Sequence, residues 1–462
     1  MGTSGSLSTW NRAQQPENKH ADTGMASSPD GATNIMVTRV FAADLATYIG
    51  REVTVKGWAK FVRDTKSTNF IVLQDVSGTV QLVGPADLPV HVKREDALEI
   101  VGRVREDQRA PRGFEVDIMD IRVIGDSAES LPFLSGSDLT EIGLDTVLDY
   151  RPLALRTDRG GTIFRVQAAL VEGFRSALRR RRFTEIFSSK IVAGGTEGGA
   201  NLFAIRYFER VAYLAQSPQF YKEHGVAGLE RVFETGHVYR AEPHATSRHL
   251  TEYYSLDFEM GFINGPADVI AVEREILTEM FENVRQEFGE RLSRFDAYLP
   301  PMLNVPIWTF DECLDRLKRA YGRTDLVDDL TPEAERQLCL LAEKETGVSA
   351  VFVLGFPLSG RPFYTYPRSD GRTAAGFDLL FRGIEITTGG QRLHRRTDLE
   401  NALRQRGADP NAFESHLRMF DLGMPPHGGL AIGAERLTAQ VLGLRNVREA
   451  TLYPRDVQRM TP

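Results

Sequence analysis

The chain has little cysteine, no long apolar run and no excess of positive charge, and each shortage removes a class of protein. Its two cysteines, Cys313 and Cys339, sit in separate helical-looking segments with no CxxC spacing and no histidine pair nearby. Neither a disulfide framework nor a zinc site is indicated, and both read as small core residues. No uninterrupted apolar stretch approaches the roughly 20 residues of a membrane span, and the N-terminus lacks a basic segment followed by an apolar one. The expectation is a cytoplasmic protein with no membrane attachment. A formal net charge of −7 argues against binding nucleic acid through bulk electrostatics, because domains that do so tend to be basic. Any such partner has to meet local basic surface. The run Arg179-Arg180-Arg181-Arg182 offers one, although charge runs are more often solvated faces. Alternation of sheet and helix without strict βαβ spacing, and without a glycine-rich phosphate loop, argues against a Rossmann nucleotide site.

What is present is an ordinary globular composition, 42% hydrophobic and 26% charged, on a chain long enough for two or three domains. Residues 1–36 are rich in Ser, Gly, Thr, Asn and Pro, with too little apolar surface to offset chain entropy, and read as a disordered tail. Residues 37–125 carry five short alternating strands, at Glu52–Trp58, Phe70–Gln74, Thr79–Val83, Ala97–Arg105 and Phe114–Val123. They fit a small β-barrel of oligonucleotide-binding (OB) type. Residues 126–150 shift to Ser, Gly and Pro and read as a hinge. Over residues 151–462, helical periodicity at Ile163–Arg182, Ala267–Phe288, Thr309–Tyr321 and Pro332–Thr346 mixes with strands, including one read over Gly376–Ile386. The fold class is α+β.

The stretch Phe233–Ile263 reads as two antiparallel strands around a turn-prone middle. Arg240, Glu242, His244, Arg248 and His249 crowd it. Buried charges must be paired or hydrogen-bonded, so two arrangements suit these residues. Their charges pair across a solvated hairpin, or they hold a polyphosphate, for which Arg offers two-pronged bonding and His a positionable donor.

Tyr239-Arg240-Ala241-Glu242, Arg248-His249-Leu250-Thr251-Glu252 and Leu256-Asp257-Phe258-Glu259-Met260 resemble motif 2 of class II aminoacyl-tRNA synthetases. The form is that of the subclass IIb aspartyl enzymes of archaeal and eukaryotic type. Gly428, Gly429, Gly433 and Arg436 resemble motif 3, with Ala431 where a glycine is common. The segment around Phe183-Thr184-Glu185-Ile186 resembles motif 1, through which class II enzymes dimerise, with Ser189 where the family has a proline. The order of the motifs from about Val53 to the end makes the resemblance whole-chain.

The resemblance implies an antiparallel sheet flanked by helices and a homodimer that ligates L-aspartate to tRNA(Asp) through an aspartyl-adenylate, at the expense of ATP. It assigns ATP to Arg240, Glu242, Arg248, His249, Tyr253, Glu385, Gly433 and Arg436, with Arg240 and Arg436 catalytic. Asp378, Glu385 and Thr388 match the set that holds Mg²⁺ against the phosphates, a hard cation that takes oxygen donors; read alone, the two carboxylates also suit buried ion pairs with Arg382 or Arg392. Glu197, Gln219, Lys222, Asp257, Thr388 and Arg392 match the aspartate site, where Lys222 and Arg392 suit an anionic side chain. Arg63, Phe70 and Gln81 match the anticodon-binding face, where an aromatic stacks on an unpaired base. Lys60 stands where the family places a histidine or a large aromatic, and charging of tRNA(Asn) as well stays open. Two other classes compete: a class II-fold ligase that passes activated aspartate to ammonia or another small acceptor, and a non-catalytic tRNA-binding relative.

Overall fold

The computed structural model describes residues 39–195, 202–243 and 246–462, so the expected tail, His244 and Glu197 lie outside the described residues. The chain divides into two compact units, Met1–Asp126 and Ser127–Pro462. No described helix is long and apolar enough to cross a membrane.

The first unit is a closed barrel of strands β1 (Glu52–Asp64), β2 (Thr68–Gln74), β3 (Thr79–Pro85), β4 (Ala97–Glu106) and β5 (Phe114–Gly125), in the order β1-β2-β3-β5-β4. Strand alternation places Val53, Val55, Ile71, Leu73, Leu82, Ile100 and Val116 inside, as the period of two requires. The first strand runs six residues past the expected Trp58, because a bulge between Ala59 and Phe61 lets it bend and keep pairing with β2.

In the second unit, residues expected to form a hinge carry the short helix α1 (Leu144–Asp149) and pack Phe133, Leu139 and Val147 against α2 (Arg151–Arg156). α1 and α2 meet at Tyr150, and Pro152 suits the first turn of the second helix. Helix α3 (Asp158–Arg180) starts where the Thr157 hydroxyl accepts from the Gly160 amide. Its buried stripe of Ile163, Val166, Leu170, Phe174 and Ala177 follows helical spacing. The arginine run at its end is ion-paired: Arg179 to Glu185, Arg180 and Arg181 to Glu279.

Then come β6 (Thr184–Glu185), a small sheet of β7 (Ile191–Val192), β8 (Ala204–Tyr207) and β9 (Arg210–Leu214), and α4 (Gln219–Leu229). The hairpin follows as β10 (Arg231–Tyr239) and β11 (Glu252–Gly261), then α5 (Pro266–Leu292), β12 (Ile307–Thr309), α6 (Phe310–Tyr321) and α7 (Pro332–Thr346). Next are β13 (Ala350–Leu354), β14 (Gly376–Phe381), β15 (Ile384–Gln391), α8 (Arg396–Gln405), α9 (Glu414–Leu417), β16 (His427–Gly433) and α10 (Ala434–Leu442).

Eight of these strands form one sheet in the order β12-β13-β14-β15-β16-β11-β10-β6. All neighbours are antiparallel except the two outermost pairs. Its core face lies on α3, α5 and α10 through Phe233, Phe258, Leu379, Ile386 and Leu430. The strand expected over Gly376–Ile386 is instead a hairpin. Arg382 and Gly383 both have positive φ, 49° and 82°, the two-residue turn whose twist matches antiparallel strands. Helix α9 is a single α turn, Glu414–Leu417, flanked by 3₁₀ turns.

Candidate active site

Register brings positions of five strands, four of them polar, into one row on the face of the sheet away from α3, α5 and α10. Asp378 on β14 pairs with Thr388 on β15, Thr388 with Ala431 on β16, Ala431 with Asp257 on β11, and Asp257 with Glu234 on β10. Two residues along, Gly376, Gly390, Gly429 and Glu259 form a second row. Residues two apart on a strand share a face. The first row therefore supplies oxygen donors, and the three glycines supply a floor free of side chains.

Beside this floor lies a buried quartet of charges. Lys222 on α4, 1% exposed, donates to Asp257 Oδ1 and to the Leu430 carbonyl, both at 3.0 Å, and pairs with Glu259 at 3.5 Å. Arg392 donates through Nε to Glu259 Oε1 at 3.2 Å and through Nη2 to the Gly429 carbonyl at 3.1 Å. Two cations face two carboxylates, which satisfies the requirement that charges removed from water be paired. Gln219, Lys222, Thr388 and Arg392 line one cavity together with Tyr364 and Arg361. Asp257 stands behind Lys222, where the Ser255 hydroxyl also donates to it.

The adjoining cavity is lined by Arg240, Glu242, Arg248, His249, Tyr253, Glu385, Gly433 and Arg436, and the two cavities share Arg240, Tyr253 and Thr388. Each guanidinium here leans on an acid. Arg240 lies 3.7 Å from Glu242 and over the Tyr253 ring. Arg248 donates to both oxygens of Glu335, at 2.6 and 3.3 Å. Arg436 donates to the Glu385 carbonyl at 3.0 Å and lies 3.8 Å from its carboxylate. Arg361 grips Asp378 with two bonds of 2.7 and 3.0 Å, and Thr388 donates to the same carboxylate. The ion pair read for Asp378 thus exists with a different arginine, since Arg382 reaches Asp296 and Arg392 reaches Glu259.

Desolvation in the cleft, and next the charge of Asp378, push the Glu385 carboxyl above the ordinary carboxylate range. Burial likewise raises Glu335, against the pull of Arg248. The carboxylates crowded on one side of the cleft, with the Thr388 hydroxyl beside them, are a donor set suited to a hard divalent cation.

In the barrel, Arg63 and Phe70 face each other across β1 and β2, and Gln81 lies opposite Val72 on β3. Phe70 is half-buried and outside the barrel core. Gln81 donates to the buried Glu115 at 2.7 Å. The two cysteines are buried in the α6–α7 cluster, and burial pushes the Cys339 thiol up to about 12.

Three residues of the cleft escaped the reading of the sequence. Glu259 was legible, since it follows Asp257 by two on a strand already recognised. Glu335 reads as an ordinary acidic first turn of α7. Arg361 sits in a loop with no local pattern to mark it.

The sheet and its cleft define a synthetase domain of class II. The model for class II tRNA synthetases (D, K and N) matches residues 143–457, and that for the OB-fold nucleic acid binding domain matches residues 53–124. The chain belongs to the class II tRNA synthetases of the D, K and N family. Within that family it is similar to the aspartate–tRNA(Asp/Asn) ligase of Thermus thermophilus, 46% identical over 92% of this chain and 100% of the relative. The aspartate–tRNA(Asp/Asn) ligase of Deinococcus radiodurans is 43% identical over 92% of this chain and 99% of the relative. Among solved structures, asparaginyl-tRNA synthetase from Pyrococcus horikoshii complexed with asparaginyl-adenylate matches with a TM-score of 0.85. That match has 30% identity and covers 92% of this chain and 100% of that one.

Proposed function

We propose that the chain ligates L-aspartate to tRNA(Asp), and also to tRNA(Asn), through an aspartyl-adenylate formed from ATP. The observation that carries the reading is the buried pair Lys222 and Arg392, next to a cavity lined by three arginines and a histidine of the hairpin and motif 3. In this reading the substrate side-chain carboxylate meets Lys222 and Arg392, which offer it charge-assisted hydrogen bonds. Gln219 faces the α-ammonium group, and Asp257, behind Lys222, holds that cation in place. Glu242 and Tyr253 place the adenine. Arg240 and Arg436 neutralise the phosphates about the reacting phosphorus, and Arg248 and His249 take the outer ones, leaving Glu335.

The substrate α-carboxylate oxygen attacks the α-phosphorus and pyrophosphate departs. A ribose hydroxyl of the tRNA terminus then attacks the activated carbonyl and AMP departs. No side chain becomes covalent; the chain works by positioning and charge stabilisation. Glu385, with Asp378 and Thr388, would hold Mg²⁺, which supplies further charge neutralisation to the phosphates. The OB-fold match supports a tRNA acceptor over ammonia, with Arg63, Phe70 and Gln81 meeting the anticodon. The names of the two relatives support inclusion of tRNA(Asn).

The test is charging of tRNA(Asp) and tRNA(Asn) transcripts with labelled aspartate and, separately, asparagine. Aspartate on both is expected; aspartate on tRNA(Asp) alone would restrict the proposal, and adenylate without charged tRNA would replace it with the small-acceptor ligase. Arg240→Ala is expected to lower aspartate-dependent ATP–pyrophosphate exchange by at least about 100-fold, and near-normal exchange would remove Arg240 from the site.

A further inference from the structure

Helix α4 turns Gln219 and Glu223, four residues apart, to the same buried side. Glu223 is fully buried and never reaches the amino-acid cavity. Its Oε1 accepts from Gln219 Nε2 at 2.6 Å. Its Oε2 lies 3.6 Å from His416 Nε2 and 3.9 Å from His427 Nε2. These three atoms converge without a hydrogen-bond partner among the described residues.

Donor and acceptor chemistry fixes the protons around Glu223. His427 Nδ1 faces the Pro425 carbonyl at 3.0 Å, which can only accept, so Nδ1 carries a proton. A neutral ring would then aim the Nε2 lone pair at a carboxylate. Protonation of Nε2 makes the pair attractive instead, and the ionised Glu223 raises His427 against the effect of burial. Glu223, which burial alone would raise, is held down at about 2 by His427 and His416. The other charged or titratable groups facing this pair are His224, hydrogen-bonded to His416 at 2.8 Å, His394, Arg392 and Glu259.

An ionised carboxylate only accepts, so the Gln219 group turned toward it must be the NH₂. The Gln219 carbonyl oxygen accepts no hydrogen bond from the described residues, and Gln219 lines the amino-acid cavity.

We propose that Glu223, backed by His427, is a positioning residue that locks the Gln219 amide with its carbonyl oxygen toward the cavity, so that Gln219 selects ligands carrying an α-ammonium group. The inference rests on the aspartate reading of that cavity. It makes Glu223 a determinant of amino-acid binding although it touches no substrate.

The experiment compares Glu223→Gln with wild type, using aspartate and succinate, which keeps both carboxylates and lacks the ammonium. In the variant, residue 223 no longer dictates which end of the Gln219 amide faces inward. The aspartate KM in pyrophosphate exchange should rise roughly 10-fold, with kcat within about threefold, while the inhibition constant of succinate stays unchanged. An unchanged aspartate KM, or equal weakening of aspartate and succinate, overturns the proposal. If Glu223→Gln does not fold, as judged by circular dichroism, Gln219→Leu carries the same comparison, and equal loss of both ligands again overturns it. Wild-type protein with no aspartate-dependent exchange removes the proposed activity instead. Calorimetric titration of aspartate and succinate into wild type and variant then decides the positioning role without turnover.

Discussion

Glu273 on α5 is fully buried on the core face of the sheet. Burial pushes its carboxyl up to about 8, against the Thr387 hydroxyl and the charge of Arg274. For a carboxyl raised from 4.5, the folded state keeps a proton that the unfolded state has lost between pH 4.5 and about 8. Stability therefore falls as pH rises through that window, by an amount on the order of a few kcal/mol. Glu273→Gln is expected to melt higher than wild type at pH 8.5 and alike at pH 5, as read by thermal denaturation. Lys222 poses the opposite problem, because it compensates two buried acids. Lys222→Ala leaves Asp257 and Glu259 short of a cation and should cost about 3–5 kcal/mol, visible in denaturant unfolding, besides weakening aspartate. At this scale the sequence reveals the residues that repeat a strand or helix pattern, such as Glu259 two after Asp257. It hides those whose meaning comes from a distant partner, as Glu335 does through Arg248.

The elements were legible where a period ran uninterrupted. The barrel strands, the β10–β11 hairpin and the long helices follow from alternation or from a stripe at helical spacing. The β14–β15 hairpin was missed because its apolar run, Gly-Phe-Asp-Leu-Leu-Phe, continues past a two-residue turn into Ile384. Only the positive φ at Arg382 and Gly383 separates the strands. That turn brings Asp378 opposite Thr388, so the cleft depends on it. A β-carbon at Gly383 would stand 2.6 Å from Arg336 Cγ, in a backbone conformation that side chains rarely adopt. Gly383→Val should destabilise by about 2 kcal/mol or more, read as a lowered denaturation midpoint, and should reduce pyrophosphate exchange with it. The row Asp378–Thr388–Ala431–Asp257 had no signature in the sequence, because strand register is decided by pairing over more than a hundred residues.

For the molecule as a whole, the family assignment was readable from the order of three motifs, and both units match their families over most of their length. We propose that the chain pairs with a second copy through α3 and the short edge strand β6. Next to that edge, Phe187 is 82% exposed. Size-exclusion chromatography with light scattering should give about twice the 51.6 kDa chain mass, and Phe187→Asp should shift it toward the single chain. A wild-type chain that elutes at its own mass would refute the pairing.

Arg240, Arg248, Arg361 and Arg436 face Glu242, Glu335, Asp378 and Glu385 in or beside the cavity proposed for the phosphates, four basic groups against four acidic ones. A site so balanced offers little long-range attraction to a free polyanion, and a nucleotide triphosphate that enters alone upsets the balance by its whole charge. Capture should therefore depend weakly on ionic strength and strongly on whether the nucleotide arrives already escorted by its counterion.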